Sequence, residues 1–142
     1  MNFALVPLLA LTAGVPFHTV VQGEGGASTI GKRSNLTIKT QGRWEDLWDD
    51  LGEQGKPRRV NFKKYMLIAV TEALQPTGGR AIKVEAIDRT ASGGFRVRSV
   101  ETKPAAGCFT PSVITRPYHV VRVRRATSHV SFVRRQSIEA CD

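Results

Sequence analysis

The chain has 142 residues, enough for about one domain. Hydrophobic residues make up 41% and charged residues 23%, an ordinary globular balance that excludes wholesale disorder. Lys and Arg number 21 against 12 Asp and Glu, a net charge of +9, which favours anionic partners: nucleic acid, an anionic envelope polymer or an acidic protein face.

The first feature in chain order is the apolar run from Phe3 to Val15. It has the length of an export signal, is too short to span a bilayer, and has small residues at Thr12 and Gly14 suited to cleavage. No Lys or Arg precedes it and Pro7 interrupts it. Residues 1–14 therefore read as an export signal or, as the alternative, an N-terminal strand. Residues 15–142 read as a single domain. No cysteine follows the run, which excludes a lipid-modified N-terminal cysteine.

Val15 to Val21 is rich in β-formers and ends in the glycine-rich turn Gly23 to Gly26. Ala27 to Gly31 and Leu36 to Thr40 read as short strands. Thr40 then suits a helix N-cap. Behind it Trp44, Leu47, Trp48 and Leu51 fall at i, i+3, i+4 and i+7, one apolar face of an amphipathic helix. Glu45, Asp46, Asp49 and Asp50 occupy its solvated faces, and Gly52 or Gly55 ends it.

A basic loop, Lys56 to Arg59, leads to the unbroken apolar run Tyr65 to Val70. Such a run fits a strand covered on both faces. Turns at Pro76–Gly79, Ala91–Gly94 and Pro104–Gly107 separate alternating strands at Arg80–Asp88 and Phe95–Val100. Val113 to Arg124 reads as one long strand nicked by Pro117, and Val130 begins the last. One helix against about seven strands predicts a β-rich α+β fold. Its form is an antiparallel sheet, a small sandwich or a barrel-like sheet, packed by one amphipathic helix. In an exported protein the well-separated pair Cys108 and Cys141 reads as one disulfide.

Charge is uneven along the chain. Residues 1–79 hold nine basic and seven acidic side chains, and residues 80–142 hold twelve and five. The simplest account is arginine on solvated strand faces and at guarded edges. A functional account makes Arg122, Arg124, Arg125, Arg134 and Arg135 a basic stripe on paired strands, joined by Arg96 and Arg98 if their strand is adjacent. Arg80, the Pro76–Gly79 turn and Tyr118, read as an exposed aromatic, complete the candidate binding surface.

Motifs for reaction chemistry are sparse. The chain has no Gly-x-Ser-x-Gly, and Ser28 has no recognisable partner. His18, His119 and His129 could enter a triad only through the fold, and a structural role is the commoner one. His119 and His129 could meet across a hairpin, but further zinc ligands are not evident. The acidic helix residues lack calcium-loop spacing, and Gly23–Gly26 lacks the dinucleotide and phosphate-loop patterns. The sequon Asn35-Leu36-Thr37 reads as chance. No catalytic, cofactor-binding or metal-ligating residue is assigned, and no cofactor is expected.

The ordered set of motifs resembles the C-terminal domain family of the protease complex subunit PrcB. It comprises Gly23 and Ser28, the Trp44 and Leu47-Trp48 helix, Val60-Asn61-Phe62, Pro76–Gly79, Gly107-Cys108, and Thr115–Tyr118 with its valine-rich strand. The resemblance covers about residues 17–133. It implies an exported or envelope-attached bacterial protein without catalysis. The chain departs from the family in lacking the lipid-anchoring cysteine and in having Arg80 where an aromatic is common.

These readings together predict a non-catalytic, exported protein-binding or stabilising module. It would be periplasmic, in the cell envelope or secreted, accessory to another such protein, and a monomer or weak homodimer without a membrane span. The alternative is a nucleic-acid-binding protein that uses a basic strand face. Exposed stacking aromatics, which single-strand binders need, are scarce here: Phe95 and Phe132 alternate toward the core.

Overall fold

The computed structural model describes residues 14–141. The export-signal reading falls on residues that, except for Gly14, lie outside those described. The strands are β1 (Phe17–Gly23), β2 (Ser34–Ile38), β3 (Tyr65–Thr71), β4 (Ala81–Arg89), β5 (Phe95–Pro104), β6 (Tyr118–Arg124) and β7 (Val130–Glu139). The helix α1 spans Gln41–Asp50.

The strands form two sheets, ordered β1-β6-β3-β2 and β4-β5-β7. The fold is therefore a small sandwich in the expected β-rich α+β class. It departs from a simple antiparallel meander in one respect: β5 and β7 run parallel. The chain leaves the small sheet after β5, adds β6 to the large sheet and returns as β7 in the direction of β5. A parallel pair needs such a crossover.

Three layers stack. Met66, Ile68, Val70, Val121 and Val123 of the large sheet face Ile82, Val84, Ile87, Phe95 and Val97 of the small one. On the other face of the large sheet, Leu67, Ala69 and Val120 pack against Trp44, Leu47 and Leu51. β3 is thus buried on both faces, as its continuous apolar sequence implies.

The helix forms where its signals place it. The Thr40 side chain accepts the N–H of Arg43, and Gly52 ends the helix with φ of +76°. Trp44 is 0% exposed and donates its indole N–H to the Arg58 carbonyl. Trp48 meets it edge-on at 5.4 Å and is only half-buried.

Two expected strands differ. Residues 27–31 form a loop, because the Ser28 hydroxyl accepts the Ile30 N–H and donates to the Asp50 carbonyl, bending the chain onto the helix end. The strand expected from Val113 begins only at Tyr118. Upstream of Pro117, which lacks an N–H, Thr115 alone pairs, with Gln75.

One side of the sandwich is closed by backbone pairing: the Val15 N–H donates to the Ile87 carbonyl at 2.7 Å, and Gly14 pairs with Asp88. On the other side β2 and β7 are both sheet edges, not paired to each other. The expected disulfide joins Cys108 to Cys141, with Cα atoms 5.5 Å apart, and ties the end of β7 to the loop after β5. Among the described residues no helix is long and apolar enough to cross a membrane.

Candidate binding surface

The nine residues proposed from sequence do not form one face. β6 and β7 belong to different sheets, so no stripe runs across them. Arg122 and Arg124 extend the face of β6 that carries Val120 and packs on the helix. Arg122 lies over the Tyr65 ring, 4.3 Å from its centroid. Arg96, Arg98 and Arg135 lie on the outer face of the small sheet, as the inward packing of Phe95 and Val97 requires. Two of these three are neutralised locally: Arg98 by Asp88 and Arg135 by Glu85, each at 2.8 Å. The Arg135 guanidinium holds the Glu85 carboxyl below the usual carboxylate range.

Arg134 points inward, alternating with Arg135. Its guanidinium reaches Glu101 at 3.1 Å, the Thr71 and Ser34 carbonyls at 3.0 Å, and the Asn35 side chain at 2.6 Å. It fills the open side of the sandwich between β7 and β2. Arg33 reinforces this plug by bridging Glu72 and Glu101 at 3.3 and 2.9 Å. Burial pushes the Glu72 carboxyl up, against the pull of the Ala73 N–H, and its hydrogen bond with Glu101 pushes the same way. Burial opposes ionisation of Glu101 too, but hydrogen bonds from Glu72 and Arg134 outweigh it and leave that carboxyl below its ordinary value. The half-buried Arg80 lines the adjoining polar cavity of about 50 Å³, which has room for water but not for a substrate.

Tyr118 corrects the expectation of an exposed aromatic. It is 3% exposed, sits in the helix-facing core and donates its hydroxyl to Glu53. The cause is period: Tyr118 and Val120 share one face of β6. The Pro76–Gly79 turn packs against the 105–117 loop through a Gly78 N–H to Pro111 carbonyl bond. That is the Tyr118 end of the large sheet, and Arg124 pairs with Tyr65 at the other.

The histidines do not converge. His129 is exposed in the loop before β7, whereas His119 is buried on β6. His119 Nδ1 accepts the Val84 N–H at 2.9 Å, so the neutral ring carries its proton on Nε2 and donates to Thr19 Oγ1 at 2.9 Å. Burial, helped by the charge of Lys83, pulls its pKa down to about 4. Among the described residues no cluster of three or more His, Cys, Asp or Glu could hold a metal.

A different set of cations does converge. Lys39 lies between β2 and α1, Arg59 and Lys63 lie between α1 and β3, and Arg125 follows β6. All four line an open groove of about 860 Å³ at the start of α1, and among the described residues no Asp or Glu lines it. Among the described residues none of the four is in an ion pair. The walls are pinned. Gln41 Oε1 accepts the Val60 N–H at 3.1 Å, and the Arg125 guanidinium donates to the Phe62 carbonyl at 2.8 Å. Half-buried Val60 and Phe62 give the groove an apolar component. Sequence reading registered the Lys56–Arg59 loop and Arg125 separately. Only the pairing of β3 with β6 brings them together.

Neither the curated proteins nor the solved structures include a significant match to the chain. Among models of protein families, the one described as PrcB C-terminal matches residues 66–124, from β3 to the end of β6. Over those strands the chain is similar to the PrcB C-terminal family, the one its ordered motifs resemble.

Proposed function

We propose that this protein is a non-catalytic, exported module that binds or stabilises an envelope or secreted protein, as an accessory subunit of a protease complex would. The observation that carries this reading is where the polar chemistry goes. Inside, both ring nitrogens of His119 are taken by the scaffold, and Glu72 and Glu101 are held by Arg33 and Arg134. Outside, a rigid surface bears cations without compensating carboxylates. Such a distribution suits recognition. The family match supports association with a protein complex, and the Cys108–Cys141 bridge fits an oxidising compartment.

Cross-linking of the tagged protein in its native cells tests the reading. The expected result is one stoichiometric protein partner, with the chain in the envelope or secreted fraction. Turnover of peptide, ester or phosphoester substrates by the purified chain would contradict it.

Nucleic-acid binding is the second reading, favoured by the net charge of +9. Its weakness is that, among the described residues, no exposed ring lies beside the groove cations: Phe109, 95% exposed, sits in the loop after β5 with Gly79 and the Cys108–Cys141 bridge. The face of Tyr65 is covered by Arg122, and Lys64 lies 5.6 Å from the same ring. Tight oligonucleotide binding at physiological salt, with a steep salt slope, would favour it over the first reading.

A further inference from the structure

We infer that the groove between the start of α1 and the joined ends of β3 and β6 is the docking site for an acidic, extended segment of a partner protein. The inference rests on the partner-binding reading above and specifies the partner's chemistry. Lys39, Arg59, Lys63 and Arg125 face one groove that, among the described residues, no carboxylate lines. Uncompensated like charges repel one another, and an anionic occupant relieves that repulsion. The first turn of α1 carries no acidic residue, so the positive end of the helix adds to the same field.

The Gln41–Val60 and Arg125–Phe62 hydrogen bonds hold the walls in place before binding. Less conformational freedom is then lost on association. Val60 and Phe62 supply apolar contact beside the cations, which suits a segment with aliphatic side chains among its carboxylates. A nucleic acid fits less well, because Phe62 is half-buried and Tyr65 is already covered. A second copy of this chain fits less well still, since it brings its own charge of +9.

Fluorescence anisotropy of the full chain with a short fluorescein-labelled peptide, glutamate-rich with interspersed leucines, tests the site at low ionic strength. Lys39→Glu, Arg59→Glu and Lys63→Glu combined should weaken binding about tenfold or more. Lys83→Glu, Arg89→Glu and Arg96→Glu, the same charge change on β4 and β5, should weaken it by less than about threefold. If the groove triple variant unfolds, Arg59→Gln and Lys63→Gln singly should each weaken binding about twofold while Lys83→Gln and Arg96→Gln singly do not.

Equal weakening by both triples overturns the inference, as does tighter groove-dependent binding of oligo-thymidine than of the peptide. Cross-linking in native cells separates the two levels of the argument. A groove variant that keeps the partner overturns the site and leaves the partner-binding reading standing. A wild-type chain that captures no protein overturns that reading itself.

Discussion

The Nδ1 of His119 on β6 accepts the backbone N–H of Val84 on β4 at 2.9 Å, so a neutral imidazole joins the two sheets of the sandwich. β4 is a sheet edge whose register shifts between Val84 and Ala86, and the histidine satisfies an N–H at that irregularity. The Oγ1 of Thr19 on β1 accepts the N–H of the ring's other nitrogen, Nε2. One side chain thus ties three strands.

This bond makes stability depend on pH in a definite direction. The unfolded chain takes up the histidine proton near 6.5, whereas burial and Lys83 hold the folded value near 4. Between those values the unfolded state binds more protons. The contribution is therefore complete above 6.5 and is lost as pH falls toward 4, by up to about 3 kcal/mol. Glu72 acts oppositely: its raised carboxyl pKa makes rising pH unfavourable above 4.5. Urea melts of wild type and His119→Gln across this range isolate the histidine. The wild-type stability should fall more steeply toward acid than that of the variant.

The helix seal gives a second prediction. Trp44 is fully buried between α1 and the large sheet, while Trp48 is only half-buried. Trp44→Ala should cost about 3–5 kcal/mol by chemical denaturation. Trp48→Ala should cost less than half as much.

Neighbouring arginines on β7 should behave very differently. Arg134 and Glu101 are 11% and 8% exposed, so Arg134→Ala leaves the buried Glu101 carboxylate with only the half-exposed Arg33 as cationic partner and should cost about 2–3 kcal/mol. Arg135 is 57% exposed, and Arg135→Ala should cost less than about 1 kcal/mol despite its shorter contact with Glu85. Thermal or urea melts of the two variants compare them directly.

The contrast between Arg134 and Arg135 also shows what could be read from sequence. Local patterns were legible: the Trp44–Leu51 stripe, the Thr40 cap, the doubly buried run at β3 and the cysteine pair all match the structure. Each depends on periodicity or on a side chain acting within a few residues. The grouping of cations at the groove was not legible, because charge counted along a chain is not charge in space. The second half holds most of the excess, yet Arg98, Arg134 and Arg135 meet carboxylates. Lys39, Arg59 and Lys63, from the less charged half, meet none among the described residues and join Arg125 only through strand pairing. Tyr118 was misjudged for a related reason: the strand begins at that residue, so the register that buries it is set by tertiary pairing.

The disulfide supplies a further measurable quantity. Cys108 and Cys141 are 33 residues apart in sequence. In the chain-entropy model the bridge contributes about 3–4 kcal/mol by restricting the unfolded state. Melts of the Cys108→Ser/Cys141→Ser double variant should show a loss of that size, with the packing around Trp44 retained.

The most direct test of the account is an amide chemical-shift titration of the folded protein with the glutamate-rich peptide. The predicted shifts cluster at Lys39–Arg43, Arg59–Lys63 and Arg125, around the groove that lacks carboxylates. Shifts centred on Arg96, Arg98 and Arg135, or spread evenly over every cationic face, would contradict it.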